Sequence, residues 1–149
     1  MKYSEKISKK LNELLVKNYD AERGYLKAID SVDNKNLKMF FTKRASERSE
    51  FAKDLRTEII RYGEIPENDG SLKGTMHRNW VKLKAALSSN NEEVVLEEVI
   101  KGEEESLKDY NEILSDRTLP PSIDALLMKQ KNAIQAAINK EKMHEALVS

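Results

Sequence analysis

Glutamates lie at helical spacing inside otherwise apolar stripes, and these are the residues of the sequence that could do chemistry. In the stretch VIKGEEESLKDY, residues 99–110, Glu103 lies four residues before Leu107 and in phase with the stripe, whereas Glu105 shares its face with charged residues. Glu104 falls on the flank of the stripe. Glu103 is therefore predicted to point inward, where an unpaired charge is expensive to bury.

Three other helical segments carry polar groups at a similar level along the helix axes. Glu22 continues the apolar stripe of the first segment, and Glu47 lies in the second segment with Glu50 one turn further along. The last segment carries Gln130 within its stripe. Counted at about 1.5 Å per residue from the connecting turns, all of these groups fall near the middle of the helices.

A buried cluster of carboxylates must take up protons, gather basic side chains or bind a cation. Metal binding is one interpretation, because carboxylates on facing helices hold the di-iron and di-manganese pairs of helical bundles. The predicted ion is a divalent metal, Fe or Mn, and the predicted ligands are Glu22, Glu47, Glu50, Glu103 and Gln130. Glu50 stands where such sites carry histidine, and an all-oxygen set favours manganese, magnesium or calcium over a redox-active iron pair.

The other interpretation is that arginine side chains, rather than a metal ion, neutralise the buried carboxylates. Arg44 lies in the same phase as Glu47, and Arg48 flanks that glutamate. A guanidinium group could therefore fill the centre as a salt-bridge network, with no metal and no chemistry.

The two histidines are not predicted to be ligands. The stretch EKMH, from Glu141 to His144, begins eleven residues beyond Gln130, which is about 16 Å along a helix axis. We expect it at a frayed helix end. His77 is expected at the edge of a short helix.

Five helical segments must position these residues. Apolar residues recur at spacings of three and four, and most of the three prolines and five glycines fall between such segments. The fourth helix is predicted to start in the cap region Asn90/Asn91, with Asn90 and Glu93 spaced as a capping pair. The other predicted helices run from about Ser4 to Ser31, from Asn34 to Tyr62, from Ser71 to Leu87, and onward from Pro121 or Ser122.

The order of long and short segments predicts the topology. Helices one and two form a hairpin, helices four and five form another, and the short helix rises about 25 Å, enough to carry the chain back along the bundle. We predict an all-α, antiparallel four-helix bundle of two helical hairpins, with a short additional helix in the crossover, as a single domain over residues 1–149. One such crossover is the ferritin-like connection; an up-down bundle with a packed short helix is the alternative.

Composition limits the partners. The 26 basic and 26 acidic residues cancel, and aromatic residues make up 6%, so no nucleic-acid partner is expected. No apolar run approaches the ~20 residues of a membrane span, so no membrane partner is expected. The absence of cysteine and the polar start MKYSEKISKKLNELL predict a cytoplasmic protein.

The stretches LNELLVKNYDAERGY, RASERSEF, GSLKGTMHRNWVKLK and GEEESLKDY, with LPPSI after the last, carry a family resemblance over nearly the whole chain. They resemble an uncharacterised bacterial family of four-helix-bundle proteins, a domain-of-unknown-function group in the ferritin-like superfamily. The resemblance implies a ferritin-like fold and brings no established activity. Carried over residue by residue, it matches Glu22, Glu47 and Glu103 to the carboxylate positions of the superfamily, and Gln130 to a glutamine of the ferritins.

We therefore expect a ferritin-like bundle of unknown physiological role, with a mid-bundle carboxylate cluster that binds metal ions. The alternative is a non-catalytic structural or stress-associated bundle whose acidic layer is neutralised by arginines. The sequence leans against an enzyme; if the chain is one, we expect a di-metal oxidoreductase of ferritin-like type. Self-association as a homodimer is also expected.

Overall fold

The computed structural model describes residues 3–68 and 78–148, and within these residues the chain forms α-helices and no strand. The helices are α1 Tyr3–Ile29, α2 Lys35–Arg61, α3 Arg78–Leu87, α4 Glu92–Leu114 and α5 Pro121–Val148. The prediction of an all-α bundle with four long helices and a short one is confirmed. None of the helices in the described part of the chain combines the length and the apolar character needed to cross a membrane.

The start and the end of α2 fall at the predicted boundaries, Asn34 and Tyr62. The side-chain oxygen of Asn34 accepts hydrogen bonds from the backbone N–H groups of Asn36 and Leu37, at 2.9 and 3.2 Å. This satisfies donors that the first turn of a helix leaves unpaired. Beyond Arg61, Gly63 has a φ of +76°, a left-handed conformation that glycine adopts without steric cost.

The cap of α4 differs from the predicted one. The side chain of Asn91, rather than that of Asn90, accepts a hydrogen bond from the backbone N–H of Val94, at 3.2 Å. Asn90 has a φ of +53° and turns the chain into the helix, in a conformation that asparagine tolerates better than most residues. The capping pair predicted from Asn90 and Glu93 was therefore wrong by one residue.

Contacts at both ends of the bundle show that α4 runs antiparallel to α1 and parallel to α2. Lys10, near the start of α1, pairs with Asp116 just beyond α4, with 3.1 Å between Nζ and Oδ2. At the opposite end, the backbone N–H groups of Asp33 and Asn34 donate to Glu92 Oε1, at 3.0 and 2.9 Å. The chain must therefore return along the length of the bundle between α2 and α4.

The short helix α3 belongs to this crossover and packs against α1 and α4. Its Leu83 and Ala86 side chains are buried at the end of the bundle where α2 and α4 begin. The predicted start of this helix at Ser71, together with His77, lies outside the described residues.

The four long helices form a ring in the order α1, α2, α5, α4. Among the described residues, no pair of Cα atoms within 8 Å joins α1 to α5 or α2 to α4, so these two pairs lie diagonally across the centre. The interior holds two apolar clusters, one around Phe41 and Val99 and the other around Leu55 and Ile134. On α2, the change from one cluster to the other falls between Ala45 and Phe51.

Candidate functional site

Arg48 occupies the centre of the bundle, between the two apolar clusters. This residue is 1% exposed, and its Nη2 atom lies 2.5 Å from Oε1 of Glu103, a residue that is also 1% exposed. Its Nη1 atom donates to Oδ1 of Asn18 at 2.7 Å. The guanidinium group thus connects α2 to both α1 and α4, because its planar fork donates one hydrogen bond to Asn18 and another to Glu103.

The contacts of Asn18 extend this arrangement to the fourth long helix. The amide nitrogen of Asn18 donates to the hydroxyl of Tyr110 at 3.0 Å and to the carbonyl of Leu14 at 2.8 Å. Tyr110 donates in turn to Oε1 of Gln130 at 2.6 Å, and Gln130 donates to the carbonyl of Phe51 at 3.3 Å. Burial raises the pKa of Tyr110 to about 12, so this phenol stays a hydrogen-bond donor at neutral pH.

We name these five buried side chains the Arg48 network: Asn18, Arg48, Glu103, Tyr110 and Gln130. They come from all four long helices, and each is hydrogen-bonded to another member. Buried polar networks that are satisfied in this way hold their helices in one register, because any shift leaves polar groups unpaired.

A second polar contact crosses the other diagonal of the bundle. Tyr25 on α1 donates its hydroxyl to Oε1 of Glu141 on α5, at 2.5 Å, and both side chains are fully buried. Burial, reinforced by the charge of nearby Glu103, raises the pKa of Glu141 well above its ordinary value. The pKa of Tyr25 is also raised by burial, so both groups favour their neutral forms.

Arg44 and Glu47 form an outer ion pair at the edge of this region. Nη1 of Arg44 lies 3.2 Å from Oε1 of Glu47, and the glutamate side chain is 26% exposed. The guanidinium also lies over the ring of Phe40, 5.2 Å from its centroid. Partial burial raises the pKa of Glu47, and the charge of Arg44 opposes that shift.

The structure places the five predicted metal ligands at different depths. Glu103 and Gln130 are buried in the Arg48 network, Glu47 lies at its edge, Glu22 is half-buried and Glu50 is exposed. Within the described residues, no three acidic or histidine side chains are grouped so that they could hold a metal ion. The observed partner of the Glu103 carboxylate is the guanidinium group of Arg48.

The sequence left open which of two arginines enters the acidic layer, Arg44 in the phase of Glu47 or Arg48 on its flank. In the structure Arg48 is fully buried, and Arg44 lies at the edge. The buried residues of α2 alternate at spacings of four and three, and Arg48 falls within this seam, which comprises Phe41, Ala45, Arg48, Ala52, Leu55 and Ile59.

Glu141 was missed by the sequence prediction, which assigned it to a frayed helix end. It is 0% exposed. Its spacing indicates burial, because it lies seven residues after Ile134 and three after Ile138, both of which are buried. Because it lies eleven residues beyond Gln130, Glu141 forms a second polar level of the bundle, beside Tyr25.

These observations define a class: an all-α four-helix bundle whose core is divided by a buried arginine–carboxylate network. A family model described as Domain of unknown function (DUF2383) matches residues 6–116, more than half of the chain, and the protein belongs to this family. The matched residues include Asn18, Arg48, Glu103 and Tyr110. No curated protein matches the chain.

Replacing Arg48 with methionine is expected to lower the free energy of unfolding by about 3–5 kcal/mol, because Glu103 then stays buried without a counter-charge. Urea denaturation measures the loss. Arg44→Met is the matched control, with an expected loss of about 1 kcal/mol or less for a part-exposed pair. Similar losses for the two variants would contradict the central role of Arg48. The double variant Arg48→Met/Glu103→Gln should recover part of the stability, since no unpaired charge remains.

Removing the hydroxyl of Tyr110 is expected to cost about 1–3 kcal/mol, because Asn18 and Gln130 each lose a buried partner. Tyr19→Phe is the control. The hydroxyl of Tyr19 accepts from Arg56 at 2.9 Å and donates to the carbonyl of Glu67 at 3.1 Å, but this residue is only partly buried, so water can replace the lost hydroxyl. Thermal denaturation of both variants should therefore show a larger decrease in Tm for Tyr110→Phe; equal decreases would argue against a satisfied internal network.

Proposed function

We propose that the protein is a non-catalytic, ferritin-like bundle in which Arg48 takes the place of a metal pair, as a single domain over residues 1–149. The contact that carries the proposal is the 2.5 Å ion pair between Arg48 and Glu103. Two antiparallel hairpins joined by one long crossover support the ferritin-like assignment, because this is the connection of ferritin-like folds. The resemblance to a bacterial family supports the same assignment.

The contacts of Arg48 also support a role without redox chemistry. A metal site that reacts with a substrate keeps coordination positions open. In this bundle the inward carboxylate of Glu103 is bonded to a guanidinium group, and the remaining members of the Arg48 network are bonded to one another. A structural or stress-associated protein that acts through its surface is the function that this interior supports best.

Metal binding is the competing function, and it is worth testing because two carboxylates lie close to each other. Glu47 and Glu103 are close enough for the charge of Glu103 to raise the pKa of Glu47. A cation that displaced Arg48 would find both carboxylates near the centre. If a metal binds, the predicted ligands are Glu22, Glu47, Glu50, Glu103 and Gln130, and the activity would be that of a di-metal oxidoreductase.

Elemental analysis of protein purified from cells grown with added iron and manganese separates the two functions. We expect well under one metal ion per chain. The variants Glu103→Gln and Glu104→Gln form a matched pair, because the second changes the exposed neighbour of the buried glutamate. A stoichiometric metal content that falls in Glu103→Gln and persists in Glu104→Gln would overturn the arginine-filled layer.

Self-association is the second part of the proposal. Large apolar side chains are exposed on two adjacent helices, with Met39 and Ile60 on α2 at 64% and 61%, and Met128 and Met143 on α5 at 40% and 69%. Balanced charge removes the repulsion that would keep two copies apart. We place the protein in the cytoplasm, without a nucleic-acid partner, on the grounds of composition.

Light scattering coupled to size-exclusion chromatography is expected to give twice the mass of the chain at high protein concentration. The variant Met39→Glu/Ile60→Glu should shift the mass toward that of one chain, because it places charges on the proposed face of α2. Glu50→Lys, which changes an exposed residue of the same helix, serves as the control. A single-chain mass for the unmodified protein at every concentration would exclude the homodimer.

A further inference from the structure

Glu141 is buried as completely as the hydrophobic core, and the Arg48 network does not use it. One of its oxygens, Oε1, accepts the hydrogen bond from Tyr25. The other, Oε2, is buried without a hydrogen-bond partner among the described residues. A buried polar atom of this kind is rare enough in folded proteins to require an explanation.

Two guanidinium groups and three carboxylates meet in this part of the bundle. Arg48 is paired with Glu103, and Arg44 is paired with Glu47. Both arginines are therefore engaged, and Glu141 is the carboxylate left over. A carboxyl group in that position is buried most favourably as the neutral acid.

The charged and titratable groups around Glu141 come from each long helix. The two lysines that flank it in the sequence, Lys140 and Lys142, are exposed, and Lys142 pairs with Glu104 at 3.6 Å. The ring of His144 packs against Phe40, with 5.3 Å between the ring centroids. The groups are Tyr25 from α1, Arg44, Glu47 and Arg48 from α2, Glu103 and Glu104 from α4, and Lys140, Lys142 and His144 from α5.

We propose that Glu141 is a pH-dependent switch, which packs inside the bundle as a neutral acid and releases the C-terminal end of α5 when it loses its proton. The inference rests on the arginine-filled layer of the proposed function. Beyond Ile138, Glu141 is the one buried side chain of α5 among those described. Fraying these last turns would carry the carboxylate into water and, among residues 139–145, would expose no other buried side chain of α5, so local opening is the least costly response.

The direction of the pH effect follows from the raised pKa of Glu141. Near its ordinary pKa of 4.5, the released side chain loses its proton, whereas the packed side chain keeps it. The packed state is therefore favoured fully below that pH and loses stability as the pH rises toward the folded pKa. The opening equilibrium grows by up to about tenfold per pH unit over this window.

Hydrogen exchange, corrected for the intrinsic pH dependence of the rate, tests the switch in full-length protein at pH 6 and pH 9. We expect the protection factors of residues 138–148 to fall at least tenfold between these pH values, while those of α4 stay constant. Glu141→Gln cannot ionise and should hold its protection at both pH values. Glu145→Gln, a part-buried control one turn further along α5, should behave like the unmodified protein.

A second variant keeps the test independent of how well Glu141→Gln folds. Tyr25→Phe removes the hydrogen bond that favours the ionised carboxylate in the packed state, so the pKa of packed Glu141 rises further. The fall in protection should therefore continue to a higher pH and become larger than in the unmodified protein. Unchanged protection of α5 in the unmodified protein, or an equal fall in Glu141→Gln, would overturn the switch. Metal content measured on the same samples reports separately on the proposed function.

Discussion

The ion pair between Arg48 and Glu103 is the contact on which the arrangement of the four long helices depends. It crosses the diagonal between α2 and α4, whose backbones do not approach each other in the described part of the chain. A charge taken from water must be paired and hydrogen-bonded, because the cost of desolvation otherwise exceeds the attraction. Asn18 supplies that hydrogen bond from α1. A sliding or rotated helix would leave the guanidinium group unpaired, so the pair selects one packing.

The sequence makes room for this long side chain by placing small residues around it. Ala45 precedes Arg48 by one turn in the seam of α2, and Ala52 follows it by one turn. On α4, Gly102 and Ser106 are buried beside Glu103. Protein interiors are packed as densely as organic crystals, so a buried arginine requires small neighbouring side chains. The glycine in the middle of α4, which is unfavourable for an isolated helix, is consistent with this need.

Helical periodicity predicted the architecture and part of the candidate site. It placed Glu103 and Gln130 in the interior, because their stripes are long and have one clear phase. It did not decide between Arg44 and Arg48 because the apolar pair Phe40 and Phe41 on α2 allows two phases one residue apart, and tertiary packing decides between them. It missed Glu141 because apolar residues become sparse near the end of α5. A carboxylate in phase with so few apolar residues was therefore assigned to a frayed helix end. Pairing across diagonals, as between Tyr25 and Glu141, is a property of the folded bundle that no single-helix pattern contains.

The charge balance of the interior gives the two diagonals different properties. One diagonal joins a guanidinium to a carboxylate, and Glu103 raises the pKa of Arg48 despite its burial, so the guanidinium group stays charged. The other joins a phenol to a carboxyl group, and burial raises both pKa values, so that pair is stable only while both groups are neutral. A pair of opposite charges resists a change of pH, whereas a pair of neutral acids responds to it. The fixed diagonal therefore sets the register of α2 and α4, and the titratable diagonal makes the contact between α1 and the end of α5 depend on the proton.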